Sequence, residues 1–174
     1  MKFVNVISVL IICFFILSFN TTEHKSVKLT DFNTSYCDDT PELNKQVVDF
    51  VTANLKKKVG KGECWDLAAG ALNLIGAKWN GAYVYGDVVR YKTECVYPGD
   101  IIHFNGVKVT YEVDNRIYTE IMDQHTAIIY KVEGKGDYII AHQNTAFSGR
   151  KVGLSPLNLE DITKGRFTIY RPVK

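Results

Sequence analysis

GKGECWDLAAGALNLIG, residues 60–76, is the stretch on which the reading of this chain turns. A glycine-rich turn delivers Cys64 to the start of a segment in which Leu67, Ala68, Ala71, Leu72 and Ile75 recur at helical spacing, and Gly76 closes the run. A thiol at a helix N-terminus meets unpaired backbone N–H groups and the positive end of the helix dipole, and both favour the thiolate. Cys64 is therefore a candidate nucleophile. What remains to be found is a histidine base within its reach and a group that orients the histidine.

Outward toward the N-terminus, Thr40, Pro41 and Glu42 read as a helix start, with Thr40 as cap and Pro41 at the first helical position. Leu43, Val47, Phe50, Val51 and Leu55 continue at helical spacing. Lys56, Lys57, Lys58 and Lys61 suit a helix C-terminus, and Gly60 a stop. Toward the C-terminus the pattern becomes strand-like over residues 83–89, 100–104, 107–113, 125–132, 138–142 and 167–170. Asn105-Gly106 predicts a two-residue hairpin, Pro98-Gly99-Asp100 a turn into a strand, and residues 133–136 a second hairpin turn. Helices first and an antiparallel sheet afterwards define an α+β domain.

The 174 residues, 46% of them hydrophobic, suit one domain with a single core. The beginning, Lys2, an apolar run over residues 3–17 and a polar exit over residues 18–21, reads as a secretory signal peptide. Residues 1–20 are assigned to it, residues 21–39 to an extended arm and residues 40–174 to the domain. Cys13 leaves with the signal. Cys37, Cys64 and Cys95 remain, an odd number for a secreted, extracytoplasmic protein. Pairing Cys37 with Cys95 leaves Cys64 as a free thiol, and the alternative is three reduced, buried cysteines. Asn33, followed by Thr34 and Ser35, forms a glycosylation sequon. Of 21 basic side chains, 20 remain once Lys2 is removed, against 19 acidic ones. Such a balance gives no field to draw the chain onto nucleic acid or an anionic membrane. A monomer with no stable membrane association after signal cleavage is expected.

Four histidines are candidates for the base. His24 falls in the arm, and His103 lies inside an apolar strand, where a structural role is expected. His125 opens the run 125–132 and stands at the sheet edge. His142 ends the next run and precedes Gln143 and Asn144. Antiparallel strands joined at residues 133–136 bring His125 and His142 together only if the hairpin is skewed. Cys64, His125 and His142 lack the short spacings of a zinc site, so neither a metal nor another cofactor is expected.

In their order, GECW at residues 62–65, PGDIIHF at 98–104, HTAII at 125–129 and AHQN at 141–144 resemble the papain-like hydrolases of the CHAP and NlpC type. The closing FTIYRP at 167–172 is similar to a last strand common in that superfamily. The resemblance implies a helix-start cysteine packed on an antiparallel sheet of about five to six strands. It implies Cys64 as nucleophile, His125 as general base and then acid, and His142 as the orienting group, with Asn144 as the alternative third member. It further implies a cysteine-dependent amidase or peptidase working through a thioester, on a peptide or peptidoglycan-like substrate such as cell-wall peptides. The alternatives are a secreted binding or toxin-like module without turnover, and an acyltransferase. Trp65 and Asp66 replace the serine and glycine usual after the NlpC-type cysteine, and are read as a packing residue and a helix-start charge.

Overall fold

The computed structural model describes residue 37 and residues 39–174. The expected signal peptide, the sequon and most of the arm lie outside the described residues. Two helices, α1 (Glu42–Asn54) and α2 (Cys64–Ile75), precede six strands: β1 (Asp87–Val89), β2 (Ile101–Val113), β3 (Arg116–Gly134), β4 (Asp137–His142), β5 (Gly153–Asn158) and β6 (Ile162–Arg171). They form one antiparallel sheet in the order β1-β6-β2-β3-β4-β5.

Both helices lie on one face of this sheet. Val47 and Val51 of α1 and Leu67, Ala68, Ala71, Leu72 and Ile75 of α2 are buried against Tyr85, Ile101, Ile128, Ala141, Val152 and Tyr170. The strand period of two sends Ile102, Phe104, Ala127, Ile129 and Ile140 to a second cluster on the opposite face. Asp100, fully buried, ties the first core together. Its carboxylate accepts hydrogen bonds from Asn44 of α1 (2.8 Å), from the Tyr97 N–H (2.9 Å) and from Arg171 at the end of β6 (2.8 and 3.1 Å). The Pro-Gly-Asp turn thus docks α1 onto the last strand.

Several elements differ from the sequence reading. Helix α1 begins at Glu42 with Pro41 as the N-cap, and no side chain caps it. The helix ends at Asn54, so the lysines lie beyond it in a loop where Lys56 already has a positive φ of 62°. Only Asp87–Val89 of the run 83–89 is strand. The chain does not turn at Asn105-Gly106. β2 runs straight through, pairing Asn105 with Gln124 and Val107 with Met122. Gly106, at φ 61°, instead sits in an irregularity between β2 and β6, where a Cβ on Gly165 would come within 2.2 Å of its carbonyl oxygen. The hairpin turn is Asp114-Asn115, both residues at positive φ as a type I′ turn requires. β3 consequently begins nine residues before the histidine at position 125, at Arg116. β5 contains Pro156, which a sheet-edge strand tolerates.

Candidate active site

The loop before α2 is fixed from three sides. The Asp66 carboxylate accepts from the N–H groups of Glu63 (3.0 Å) and Lys61 (2.7 Å), closing a capping box at the helix start. Gly60, at φ 57°, passes so close that a Cβ there would lie 2.8 Å from that carboxyl. Gln143, fully buried at the end of β4, donates to the carbonyls of Val59 (2.9 Å) and Glu63 (2.8 Å) and accepts from the Val59 N–H (3.2 Å). Arg150 pairs with Glu63 at 3.3 Å and donates to the Lys61 carbonyl. Cys64 is therefore presented by a rigid turn.

The sulfur of Cys64 lies against the backbone on either side of His125. Its thiol is 3.8 Å from the Gln124 carbonyl, and the Thr126 N–H points to it. The Ile129 N–H donates to the Asp100 carbonyl, just before β2, so by strand alternation the Gln124 and Thr126 peptide groups face the opposite edge of β3. A neighbouring strand would pair with those groups, and Cys64 takes that place. The N–H groups of Thr126, Trp65 and Cys64 itself pull the thiol pKa down. Burial outweighs them and leaves it above its ordinary value, so the resting group is a thiol. The helix-start N–H groups thus favour the thiolate as expected, but burial is the larger effect.

His125 and His142 meet. Their Nε2 and Nδ1 atoms are 2.9 Å apart, and the rings stand edge to face at 75°. The hairpin is skewed as that meeting requires. Two irregularities, between Ile129 and Lys131 and between Val132 and Gly134, displace the β3–β4 register on the way from the turn to the site. One step beyond the pair Ile128–Ala141, His142 comes level with Ala127, which makes His125 its diagonal neighbour on the same face. Phe104 lies beside the His125 ring, and Phe147 beside that of His142. Burial, with a smaller effect of neighbouring histidine charge, pushes His125 down to about 4 and His142 to about 3, so both are neutral at neutral pH. The Nε2 of His142 in turn lies 2.9 Å from the Ser155 hydroxyl on β5. The Nδ1 of His125 has no hydrogen-bond partner among the described residues.

The other candidates are placed elsewhere. His103 is buried, with Nδ1 3.1 Å from the Thr126 hydroxyl, which also meets the Tyr85 hydroxyl at 3.0 Å. Tyr83 stacks on the His103 ring, and burial lowers the pKa of His103. The side chain of Asn144 donates to the Glu63 carboxylate at 3.1 Å and makes no bond to His125. Asp66 is more than a helix-start charge, being the N3 partner of Glu63 in the capping box. Trp65 is 36% exposed with its ring 6.4 Å from that of Trp79. Cys37 and Cys95 form a disulfide, and Cys64 is a free thiol. Sequence reading missed two residues of this region, Gln143 and Ser155. The first stood in the quoted run 141–144 without a role, and the second lay next to Pro156 in a segment not read as strand. Among the described residues no three His, Cys, Asp or Glu side chains converge as metal ligands.

The family described as the AIM3/BBC1 cysteine proteinase-fold domain matches residues 40–174. The crystal structure of Ly7917 is similar at 15% identity and a TM-score of 0.43, over 73% of this chain and 62% of that one. The crystal structure of Ly7917 with the hydrolyzing product of MDP is similar at 16% identity and a TM-score of 0.46, over 74% and 62%. The chain thus spans less than two thirds of the length of these structures. No curated protein sequence matches it.

Proposed function

The chain belongs to the AIM3/BBC1 cysteine proteinase-fold domain family, and on that premise we propose that it is a cysteine-dependent hydrolase of amide bonds in peptides. One observation carries the reading. The Cys64 sulfur lies against the peptide groups flanking His125, whose Nε2 is engaged by His142 while Nδ1 is left free.

In the proposed reaction the His125 Nδ1 takes the thiol proton as Sγ attacks the amide carbonyl. The Cys64 backbone N–H at the helix start supports the developing oxyanion. His125 returns the proton to the leaving nitrogen as the C–N bond breaks, giving the thioester and a free amine. Nδ1 then deprotonates a water that attacks the thioester, and the C–S bond breaks to release the acid and restore the thiol. Nearby burial keeps both partners neutral at rest, so proton transfer accompanies attack and no standing ion pair is needed. His142 holds the ring throughout.

A free Cys64 beside a Cys37–Cys95 disulfide supports a secreted, extracytoplasmic site of action. Within the papain-like class, the order of motifs in the sequence favours kinship with CHAP and NlpC enzymes and hence a cell-wall peptide as substrate. Incubation of the purified protein with peptidoglycan and with a mixed peptide library, followed by mass analysis, tests this. Cleavage by wild type and none by Cys64→Ala is the expected result, and the arm in which products form names the substrate. Wild type inert in both arms, with Cys64 unreactive to iodoacetamide at neutral pH, would favour a binding module instead.

A further inference from the structure

Ser155 stands at the far end of the hydrogen-bonded series His125–His142–Ser155, each link 2.9 Å long. A neutral imidazole carries one N–H and one lone-pair nitrogen, so a series of two imidazoles and a hydroxyl has only two self-consistent states. In the inward state Ser155 donates to the His142 Nε2 and the His142 Nδ1–H donates to the His125 Nε2. The remaining His125 proton then sits on Nδ1, and the ring has no free lone pair with which to act as a base. In the outward state the His125 Nε2–H donates to the His142 Nδ1 and the His142 Nε2–H donates to the Ser155 oxygen. Only this state leaves a lone pair on the His125 Nδ1.

We propose that Ser155 is a positioning residue that selects the outward state by accepting the His142 Nε2–H, so that His125 is held as a base toward Cys64. The inference rests on the hydrolase reading above. Three structural features support it. His142 is 2% exposed, so its Nε2–H needs a protein acceptor. The Ser155 side chain has no other hydrogen-bond partner among the described residues and is half-buried, so its own proton can turn to solvent while its oxygen accepts. Once His125 has taken the thiol proton, both its nitrogens carry hydrogens, and His142 is then forced to accept at Nδ1 and donate at Nε2. The hydroxyl oxygen is in place for that step without rearrangement. In Ser155→Ala a buried Nε2–H would be orphaned, and an orphaned buried N–H is rarer than an unpaired lone pair, so the series turns inward.

The test reads the tautomers directly by 15N NMR of histidine-labelled protein, with signals assigned by single histidine substitutions. Wild type and Ser155→Thr should show protonated Nε2 on both His125 and His142, and Ser155→Ala should shift both protons to Nδ1. Alkylation of Cys64 by iodoacetamide is followed in parallel. It should slow about tenfold at pH 7 in Ser155→Ala, stay within about twofold of wild type in Ser155→Thr, and converge for all three above the thiol pKa. Wild type with a protonated His125 Nδ1, or tautomers unchanged in Ser155→Ala, overturns the proposal. Tautomers that respond as expected, with a Cys64 inert in every variant, would overturn the hydrolase reading while the hydrogen-bond assignment stands.

Discussion

The His125 Nε2 and the His142 Nδ1 stand 2.9 Å apart although 17 residues separate them in the chain. The contact depends on the two irregularities between β3 and β4 that bring the histidines to diagonal positions on one face. It also decides which nitrogen of His125 is left without a hydrogen-bond partner among the described residues.

Replacement of His142 therefore separates positioning from packing. His142→Asn keeps an acceptor for the His125 Nε2–H and should retain measurable Cys64 reactivity. His142→Ala should lower that reactivity about 10- to 100-fold, in line with other groups that orient a reactive side chain. Since His142 is buried, the alanine variant also leaves a cavity and loses some stability. Iodoacetamide labelling at temperatures where circular dichroism shows each variant folded distinguishes the two effects. Equal rates in Asn and Ala variants would make His142 a packing residue.

The two histidines also make the fold sensitive to acid. Their folded pKa values, about 4 and about 3, lie below the ordinary 6.5, so below pH 6.5 the unfolded chain binds protons that the native state refuses. Stability is full above that value and falls as the pH drops. The loss is about 1.4 kcal/mol per pH unit for each histidine until its folded pKa is reached. Urea midpoints at pH 7.5 and pH 5 should differ accordingly, and the difference should shrink in His142→Asn. A midpoint that is flat over this range would contradict the burial of neutral imidazoles.

Asp66 links stability to the presentation of the Cys64 thiol. Its carboxylate holds the Lys61 and Glu63 N–H groups, so Asp66→Ala should cost about 1–2 kcal/mol, the usual scale for a lost cap. Because the same bonds fix the turn before Cys64, the variant should also alkylate with a changed rate. Asp66→Asn should recover part of both. Denaturant unfolding and labelling measured on the same preparations check the coupling.

The extent to which this was legible in sequence follows from the range of the forces involved. Helix α2 was readable to the residue, because its apolar stripe and the αL glycine at position 76 are local signals. The Cys37–Cys95 bridge was the first of two readings of an odd cysteine count, the other being three reduced thiols. Asn105-Gly106 misled because its local preference for a turn is overridden by continuous pairing of β2 with β3 and β6, while Asp114-Asn115 supplies the turn. The pairing of His125 with His142 was conditional on skew, and the bulges that provide it carry no clear sequence mark. Ser155 and Gln143 act over distances of 13 and 80 or more residues. Burial of the thiol, which reverses the pKa expected of a bare helix start, is likewise a tertiary effect.

The central claim is that His125 activates Cys64, and the pH profile of Cys64 alkylation tests it most directly. Rates for wild type, His125→Ala and Cys64→Ala are measured from pH 5 to pH 10 with iodoacetamide. The account predicts that wild type reacts at neutral pH through the His125 Nδ1. His125→Ala should react only as pH approaches the raised thiol pKa, and Cys64→Ala should not react. Superimposable profiles for wild type and His125→Ala would contradict it.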